Sequence, residues 1–331
     1  MNDSLPSVTV LVAARPEQAE IKAVKAALAL DYPAEKLEVL IGRGKQPSVQ
    51  RNTALKEARG DLVYFLDDDS VPPPGNLRRA VALFADPAVK MAGGPNLCPP
   101  DAPALEQVFA RVLASWLAFG PSRARYIQTG QTRPSSEKEL ILCNLLARRR
   151  EMIELGGFNE ALYPNEENAL MDELQKRGGK LIYDPAFIVY RRPRHSLGAF
   201  ARMLKTYGRG RAEQVRLHPT LGSAPNLVPP VFCVYLAVVA AALAGWPSIG
   251  KYLLAPLAFY ALAVLGQALL LAGGGHLAHS IAAMPLIVLT HILYGYGFWR
   301  GLFTPLKPPA ERAPVPVVVE RVPLGRKDPP A

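Results

Sequence analysis

The chain has 331 residues, 50% of them hydrophobic and 20% charged, with a net charge of +10. That length holds one large domain and something smaller, and the apolar share excludes a disordered or fibrous chain. The three cysteines, Cys98, Cys143 and Cys233, lie far apart, which excludes a disulfide framework or a cysteine metal cluster and fits a reduced compartment. Apolar residues are unevenly spread. From Val228 to Trp299 the only charged residue is Lys251, whereas the preceding part is ordinary for a soluble α/β protein. The pattern predicts a soluble, catalytic-looking domain followed by a membrane domain. Met1 to Ser7 is short and polar and leads straight into a strand, so no cleaved signal peptide is expected.

Val8 to Ala13 is an apolar, β-branched run and predicts a first buried strand. Glu17 to Leu30 carries apolar residues at helical spacing and is stopped by Tyr32-Pro33. Leu37 to Ile41 predicts a second strand and Gly42 to Pro47 a loop. Ser48 to Arg59 predicts a second helix, with Ser48 as its N-cap. Leu62 to Leu66 is the third strand. A β-α-β-α-β order predicts a parallel sheet with helices on both faces.

The third strand ends abruptly in Asp67-Asp68-Asp69. Ligand crevices in open α/β sheets lie beyond the carboxyl ends of the strands. Alternate residues of an extended chain share a face, so Asp67 and Asp69 project together and Asp68 turns away. Two such carboxylates suit a hard divalent ion that substrate phosphates also hold. The competing reading is a solvated acidic turn.

Further along, Asn76 to Phe84 predicts a helix, Val89 to Gly93 a strand and Ala104 to Phe119 an apolar helix. Gly120 to Lys138 has no clear period and predicts a substrate loop or a mobile one. Leu140 to Ala147 returns to the sheet, and a short helix from Arg149 ends at Gly156-Gly157. Asn165-Glu166-Glu167-Asn168 precedes a helix from Ala169 to Arg177, and Lys180 to Asp184 and Ala186 to Tyr190 are the last strands. Arg191 to Pro219 is strongly basic, with Leu197, Phe200, Met203, Leu204 and Tyr207 at helical spacing. A basic amphipathic helix beside a membrane segment suits an anionic leaflet. Nucleic-acid binding is set aside because the membrane segments begin so soon after it. Val228 to Ala244, Tyr252 to Ala272 and Ile281 to Trp299 are each long and apolar enough to span a bilayer. The Pro-rich tail from Thr304 is expected to be disordered. The predicted divisions are a domain over 1–190, interfacial helices over 191–226, two or three membrane helices over 227–300 and a tail over 301–331.

Several motifs in order carry a resemblance. They are Gln50-Arg51-Asn52, Gly60-Asp61, Leu66-Asp67-Asp68-Asp69, Arg149-Arg150-Glu151, Leu155-Gly156-Gly157-Phe158-Asn159-Glu160 and Asn165-Glu166-Glu167. The strand Leu181-Ile182-Tyr183-Asp184-Pro185 and the later Pro193-Arg194-His195-Ser196-Leu197 continue the series. Together they resemble family-2 glycosyltransferases of the GT-A fold, in the bacterial succinoglycan-type exopolysaccharide branch. The resemblance implies a Rossmann-like, mostly parallel sheet flanked by helices, followed by an α-helical transmembrane domain. It implies Mg²⁺ or Mn²⁺ held by Asp67 and Asp69 against the two phosphates of a nucleotide-sugar donor. It implies a general base at Glu167, with Glu166 as close rival and Asp172 as distant one, and inversion of the anomeric centre. A nucleotide-sugar pocket would include Arg15, Glu17, Arg43, Arg51 and Asp68. The implied acceptor is lipid-linked or a membrane-proximal glycan, the implied setting a multi-pass protein of the bacterial inner membrane in contact with membrane lipid and with a cytoplasmic catalytic domain, and nucleic acid is not a partner.

Two departures bear on the donor. Arg43 or Gly42 stands where the family carries an Asp that reads the nucleotide base, and an Arg there suits phosphate instead. The family's usual Pro-Ala-Arg-Asn-Glu after the first strand is here Ala13-Ala14-Arg15-Pro16-Glu17, which bears on Arg15 and Glu17 as nucleotide-pocket residues. Separately, the Gln-x-x-Arg-Trp sequence of processive synthases is absent after Arg191, which favours single-sugar transfer. Two other readings keep the fold. A sugar nucleotidyltransferase would need a Gly-rich, Lys-containing phosphate loop that Ala13 to Glu17 lacks, and a non-catalytic membrane partner would fit the missing base-reading Asp. Topology is contradictory. Three crossings put the tail outside, yet Arg300, Lys307, Arg312, Arg321, Arg326 and Lys327 favour inside. Either one segment is re-entrant, the short Pro-containing first being the candidate, or the positive-inside rule fails.

Overall fold

The computed structural model describes residues 5–160, 166–217, 221–273, 277–305 and 316–323. Its elements in chain order are β1 (Val8–Ala14), α1 (Lys22–Leu28), β2 (Leu37–Arg43), α2 (Pro47–Glu57), β3 (Leu62–Asp67), α3 (Asn76–Ala82), β4 (Val89–Gly93) and β5 (Asn96–Leu97). Then come α4 (Ala104–Leu113), α5 (Trp116–Phe119), β6 (Arg133–Pro134), β7 (Asn144–Arg148), α6 (Arg149–Glu154), α7 (Glu166–Lys176), β8 (Lys180–Tyr183) and β9 (Val189–Tyr190). The last are α8 (Leu197–Leu217), α9 (Val228–Gly245), α10 (Pro247–Tyr252), α11 (Ala255–Ala272), α12 (Leu277–Phe303) and β10 (Val318–Arg321).

The chain divides into two compact units. One takes in the described parts of Met1–Pro99, Ala124–Arg191 and Pro308–Ala331, the other those of Pro100–Arg123 and Arg192–Lys307. In the first, eight strands run in the order β10-β2-β1-β3-β7-β4-β8-β6. β1 pairs in parallel with β2 and β3, while β7 is antiparallel to both β3 and β4. All of β1 except Ala13, and all of β3 except Asp67, is buried. That burial on both faces is why these strands read as unbroken apolar runs and not as alternation. Val8, Val10, Val12, Tyr64, Leu66, Ala92 and Leu146 face one core, and Leu11, Val63, Phe65, Leu145 and Met171 the other.

Five expectations change. The first helix is shorter than Glu17–Leu30, because Glu17 to Glu20 belong to a loop. Ser48 is not an N-cap: α2 starts at Pro47 and Ser48 is buried within it. Residues 104–119 form two helices in place of one, broken at Ala114-Ser115, where Ser115 Oγ accepts the Ala118 N–H and starts α5. These residues cluster with the apolar helices, so the sheet domain is not the unbroken 1–190. The tail also departs from expectation. Val318–Arg321 is not disordered but adds antiparallel to the edge strand β2, with Val318 opposite Arg43 and Arg321 opposite Leu40. Arg321 contacts the Glu38 carboxylate and Val322 N–H donates to Val39 O. The rest of the tail lies largely outside the described residues, as do Asn165 and Gly274-Gly275.

In the second unit three apolar spans, Ala224–Gly245, Pro247–Ala272 and Leu277–Phe303, are long and apolar enough to cross a membrane. The amphipathic α8 lies directly on α12. A Cβ on Gly208 would come within 2.0 Å of Tyr294 O, and one on Gly297 within 2.2 Å of Lys205 O, so glycine is what lets the two backbones touch. Glu106 of α4, 2% exposed, takes both Arg192 Nη2 and Nε, and Phe109 stacks on Phe200 with ring centroids 4.3 Å apart.

Candidate functional site

Each residue of Gln50-Arg51-Asn52 has a separate task at the carboxyl ends of the strands. Gln50 Nε2 donates to Ala14 O at 2.7 Å and to Gly42 O at 2.6 Å, tying the ends of β1 and β2 together. Arg51, 7% exposed, donates from Nη2 to Asp67 Oδ1 at 2.9 Å and from Nη1 to Glu166 Oε1 at 3.3 Å. Asn52 donates to Phe158 O at 2.8 Å and to Glu160 Oε1 at 2.9 Å, and accepts Phe158 N–H at 2.8 Å. That last set fixes the Gly156-Gly157 turn, where Gly157 has φ +77° and a Cβ would lie 2.4 Å from Asn52 Oδ1. Only glycine fits there.

The acidic triplet continues β3 into a turn in which Ser70 N–H donates to Asp67 O. Val71 then pairs with Tyr190 through two backbone hydrogen bonds, of 2.9 and 3.0 Å. This pairing places Arg191, the next residue, across the two outer aspartates. Its Nη1 lies 3.1 Å from Asp67 Oδ2 and its Nε 2.5 Å from Asp69 Oδ1. Asp67 and Asp69 therefore face a common point, as alternation predicts, and a guanidinium occupies it. Burial pushes the Asp69 carboxyl above its ordinary value, and Arg191 opposes that push. Burial also works against the charge on Arg191, but Asp67 and Asp69 outweigh it and hold its pKa well above the ordinary arginine value. Asp68 is half-buried, and its backbone carbonyl accepts Ala23 N–H at 3.1 Å, joining the triplet to α1.

Glu166 and Glu167 open α7, where a helix N-terminus favours acids. They differ in environment. Glu166 is 3% exposed and its carboxylate is engaged by Arg51. Glu167 is half-buried and, among the described residues, has no hydrogen bond or ion pair. Asp172 pairs with Lys176 on the same helix, at 2.7 Å.

The remaining sequence-derived residues gather at the β1 and β2 ends. Arg15 and Glu17 are exposed in the loop after β1. Arg43 holds that loop from the other side, donating from Nη1 to Gln18 O at 2.8 Å and to Arg15 O at 3.3 Å. Its Nε donates to Glu320 of β10 at 2.7 Å. The Arg43 side chain is thus engaged within the protein. Sequence reasoning missed Arg191 as a site residue because it read as the start of the basic stretch. It also missed Glu320, 277 residues from Arg43.

Among the described residues no group of three or more His, Cys, Asp or Glu side chains gathers as a metal cage. Two converging carboxylates do fit a divalent ion that shares its remaining positions with phosphate oxygens and water. Residues 1–209 match the family described as Glycosyltransferase like family 2. The chain belongs to this family.

Pre-mycofactocin glycosyltransferase of Mycobacterium tuberculosis, from two strains, is 30% identical to this family-2 chain over 179 residues, 53% of the chain and 36% of the relative. The chain thus spans about a third of the length of these curated relatives. Among solved structures, the mannosyltransferase PcManGT from Pyrobaculum calidifontis, in complex with GDP-Man and Mn²⁺, aligns with a TM-score of 0.54 at 20% identity. That alignment covers 91% of this chain and 88% of the other. The likeness establishes a GT-A-like fold. S. aureus TarS 1-349 in complex with UDP-GlcNAc aligns over 88% and 89% of the two chains at 12% identity with a TM-score of 0.44, too low to bear on this chain.

Proposed function

We propose that the chain is a membrane-anchored, metal-dependent, inverting glycosyltransferase. It moves one sugar from a nucleotide-sugar donor to a lipid-linked or membrane-proximal glycan acceptor, in polysaccharide or glycolipid biosynthesis at a bacterial inner membrane. The carrying observation is the meeting of Asp67 and Asp69 on one cation beside the two acids that open α7.

The acceptor hydroxyl oxygen bonds to the anomeric carbon as that carbon's bond to the diphosphate oxygen breaks. The nucleoside diphosphate leaves with the bonding electron pair, and attack opposite the leaving group inverts the centre. Glu167 takes the hydroxyl proton. Its carboxylate is open for this role, whereas that of Glu166 is held by Arg51, which makes Glu166 the positioning partner. A Mg²⁺ or Mn²⁺ ion held by Asp67 and Asp69 would neutralise charge developing on the diphosphate. Arg191 already supplies a positive charge at the same point, and its planar fork matches a pair of phosphate oxygens. Arg15 and Glu17, exposed at the β1 end, remain open to the nucleoside. Arg43, tied to Glu320 and to the backbone of the Arg15 loop, forms the wall of that pocket and does not reach a phosphate.

The test is nucleoside diphosphate release by the detergent-solubilised protein from a panel of UDP-, GDP- and TDP-sugars, with membrane lipid extract as acceptor and Mn²⁺, Mg²⁺ or EDTA. Release from one donor, abolished by EDTA and by Asp69→Ala, is expected. Glu167→Gln should lower turnover by about 10²–10⁴-fold with donor affinity kept. A Glu167→Gln protein with unchanged turnover refutes the assignment of the base.

A further inference from the structure

β10 belongs to the same sheet as β1, β2 and β3, so the chain on either side of the apolar helices lies on one face of any membrane. An even number of crossings must separate β9 from β10, yet among the described residues three helices are long enough to cross. One of them does not.

The contacts within the helical unit say which. α9 and the α10–α11 segment form an antiparallel hairpin: Gly250 lies against Leu243, the Tyr235 hydroxyl donates to Leu253 O, and Phe232 meets Tyr260 with centroids 4.9 Å apart. The tip carries Trp246, 68% exposed, and Tyr252, 83% exposed, with Lys251 between them. Amphipathic aromatics and a lysine are what a membrane–water interface takes. The two arms, 22 and 26 residues long, extend about 33 and 39 Å at the helical rise, enough for a hydrocarbon layer of about 30 Å.

α12 is different at both ends. It follows closely on Leu271, whose carbonyl accepts from Arg111 Nη1 at 2.9 Å. At its far end Arg216 Nη1 donates to Gly301 O at 3.0 Å and Thr304 O at 2.6 Å. Guanidinium groups are costly in hydrocarbon, so each marks a place beside water or headgroups. Between these ends α8 runs alongside α12 in the same direction, Lys205 against Gly297, Arg209 against Gly301 and Arg216 beyond. A helix so basic cannot accompany α12 through a bilayer core. The joins from α9 to α12 fall at the open end of the hairpin, with Trp299 Nε1 on Pro230 O and Cys233 Sγ on Ile292 O. One stripe of α12 is buried from end to end, through Ser280, Ile287, His291 and Gly301, while Leu277, Ile281, Tyr296 and Phe303 on its other side are exposed.

We propose that α9 and α10–α11 cross the bilayer as a hairpin. α12 lies in the interface with α4 and α8, on the face where the sheet is, its apolar side turned to the acyl chains. The chain crosses twice. This displaces the first apolar segment as the candidate for not crossing, and it rests on the membrane reading given above.

Cysteines introduced singly at Glu35, Ser248 and Thr304 in the full chain report each place through a membrane-impermeant maleimide. They are read in sealed vesicles of both orientations, over the background of the unaltered chain. Glu35→Cys and Thr304→Cys should label from one face and Ser248→Cys only from the other. Thr304→Cys labelling from the Ser248 face overturns the proposal by restoring three crossings. Ser248→Cys labelling from the Glu35 face overturns it by removing the hairpin's passage, and a Thr304→Cys that reacts only after detergent is added places α12's end in the core and overturns it too. A chain released from membranes by alkaline carbonate would defeat the membrane reading itself, whereas a retained chain with the wrong pattern defeats the topology alone.

Discussion

Arg51 is the residue on which the acidic end of the sheet most depends. Replacing it with Met keeps an unbranched apolar stem and removes the guanidinium that joins Asp67 to Glu166. Asp67 retains Arg191, and the buried Glu166, 3% exposed, loses the Arg51 guanidinium. Removing one partner of a buried pair costs about 3–5 kcal/mol. A unit of this size melts lower by about 2–4 °C per kcal/mol, so the expected fall is about 6–20 °C. The three tryptophans, Trp116, Trp246 and Trp299, all lie in the helical unit and do not report on the sheet. Cys143 does, because it is 2% exposed in the sheet's core, and its alkylation on heating, read by peptide mass, follows the opening of that unit. Arg51→Met with Glu166→Gln should recover part of the loss, with a coupling of about 1–3 kcal/mol. Single losses that add to within about 0.5 kcal/mol, or an Arg51→Met loss under about 1 kcal/mol, would refute the view that Arg51 is Glu166's counter-ion.

Two further outcomes are expected. Gly157→Ala forces a side chain into φ +77° and against Asn52 Oδ1; strain of about 1–2 kcal/mol plus disturbed Asn52 hydrogen bonds should lower the Cys143 transition, and an unchanged transition refutes the role of the turn. The Asp61 carboxyl is held below its ordinary value, first by the Ser7 hydroxyl and also by the Ser7 N–H and Arg149. A lowered folded pKa contributes stability above the unfolded value of about 3.9 that is lost as pH falls through the folded one. Ser7→Ala should therefore melt lower than the parent at pH 7 and converge with it in acid; a constant difference across pH refutes the assignment.

The strands with both faces buried were legible because they must be nearly all apolar, as Val8 to Ala14 and Leu62 to Leu66 are. The convergence of Asp67 and Asp69 was legible too, since alternation is a property of any extended chain. What failed was long-range. Nothing near Arg191 in sequence tells it from Arg192 beside it, yet one reaches Asp67 and Asp69 and the other Glu106. The choice is made by the Val71–Tyr190 pairing, across more than a hundred residues. Val318 to Arg321 sits in a Pro-rich tail and is a strand only because β2 offers an edge. Residues 104–119 were legible as helical but not as partners of the apolar helices, because apolar spacing marks a buried face without saying what covers it.

The last strand also sets a clock. Glu320 follows Arg43 by 277 residues, and at about 5–20 residues per second it emerges from the ribosome about 14–55 s later. Throughout that interval β2 is an open edge, with unpaired N–H and C=O groups able to recruit another chain. Every apolar helix is synthesised within the same interval, so the sheet's edge can close only once all of them have been made. A chain cut short after α12 would keep its acidic site residues and present an adhesive border in place of β10. Pairing of β10 on β2 thus marks molecules whose apolar helices have all been translated.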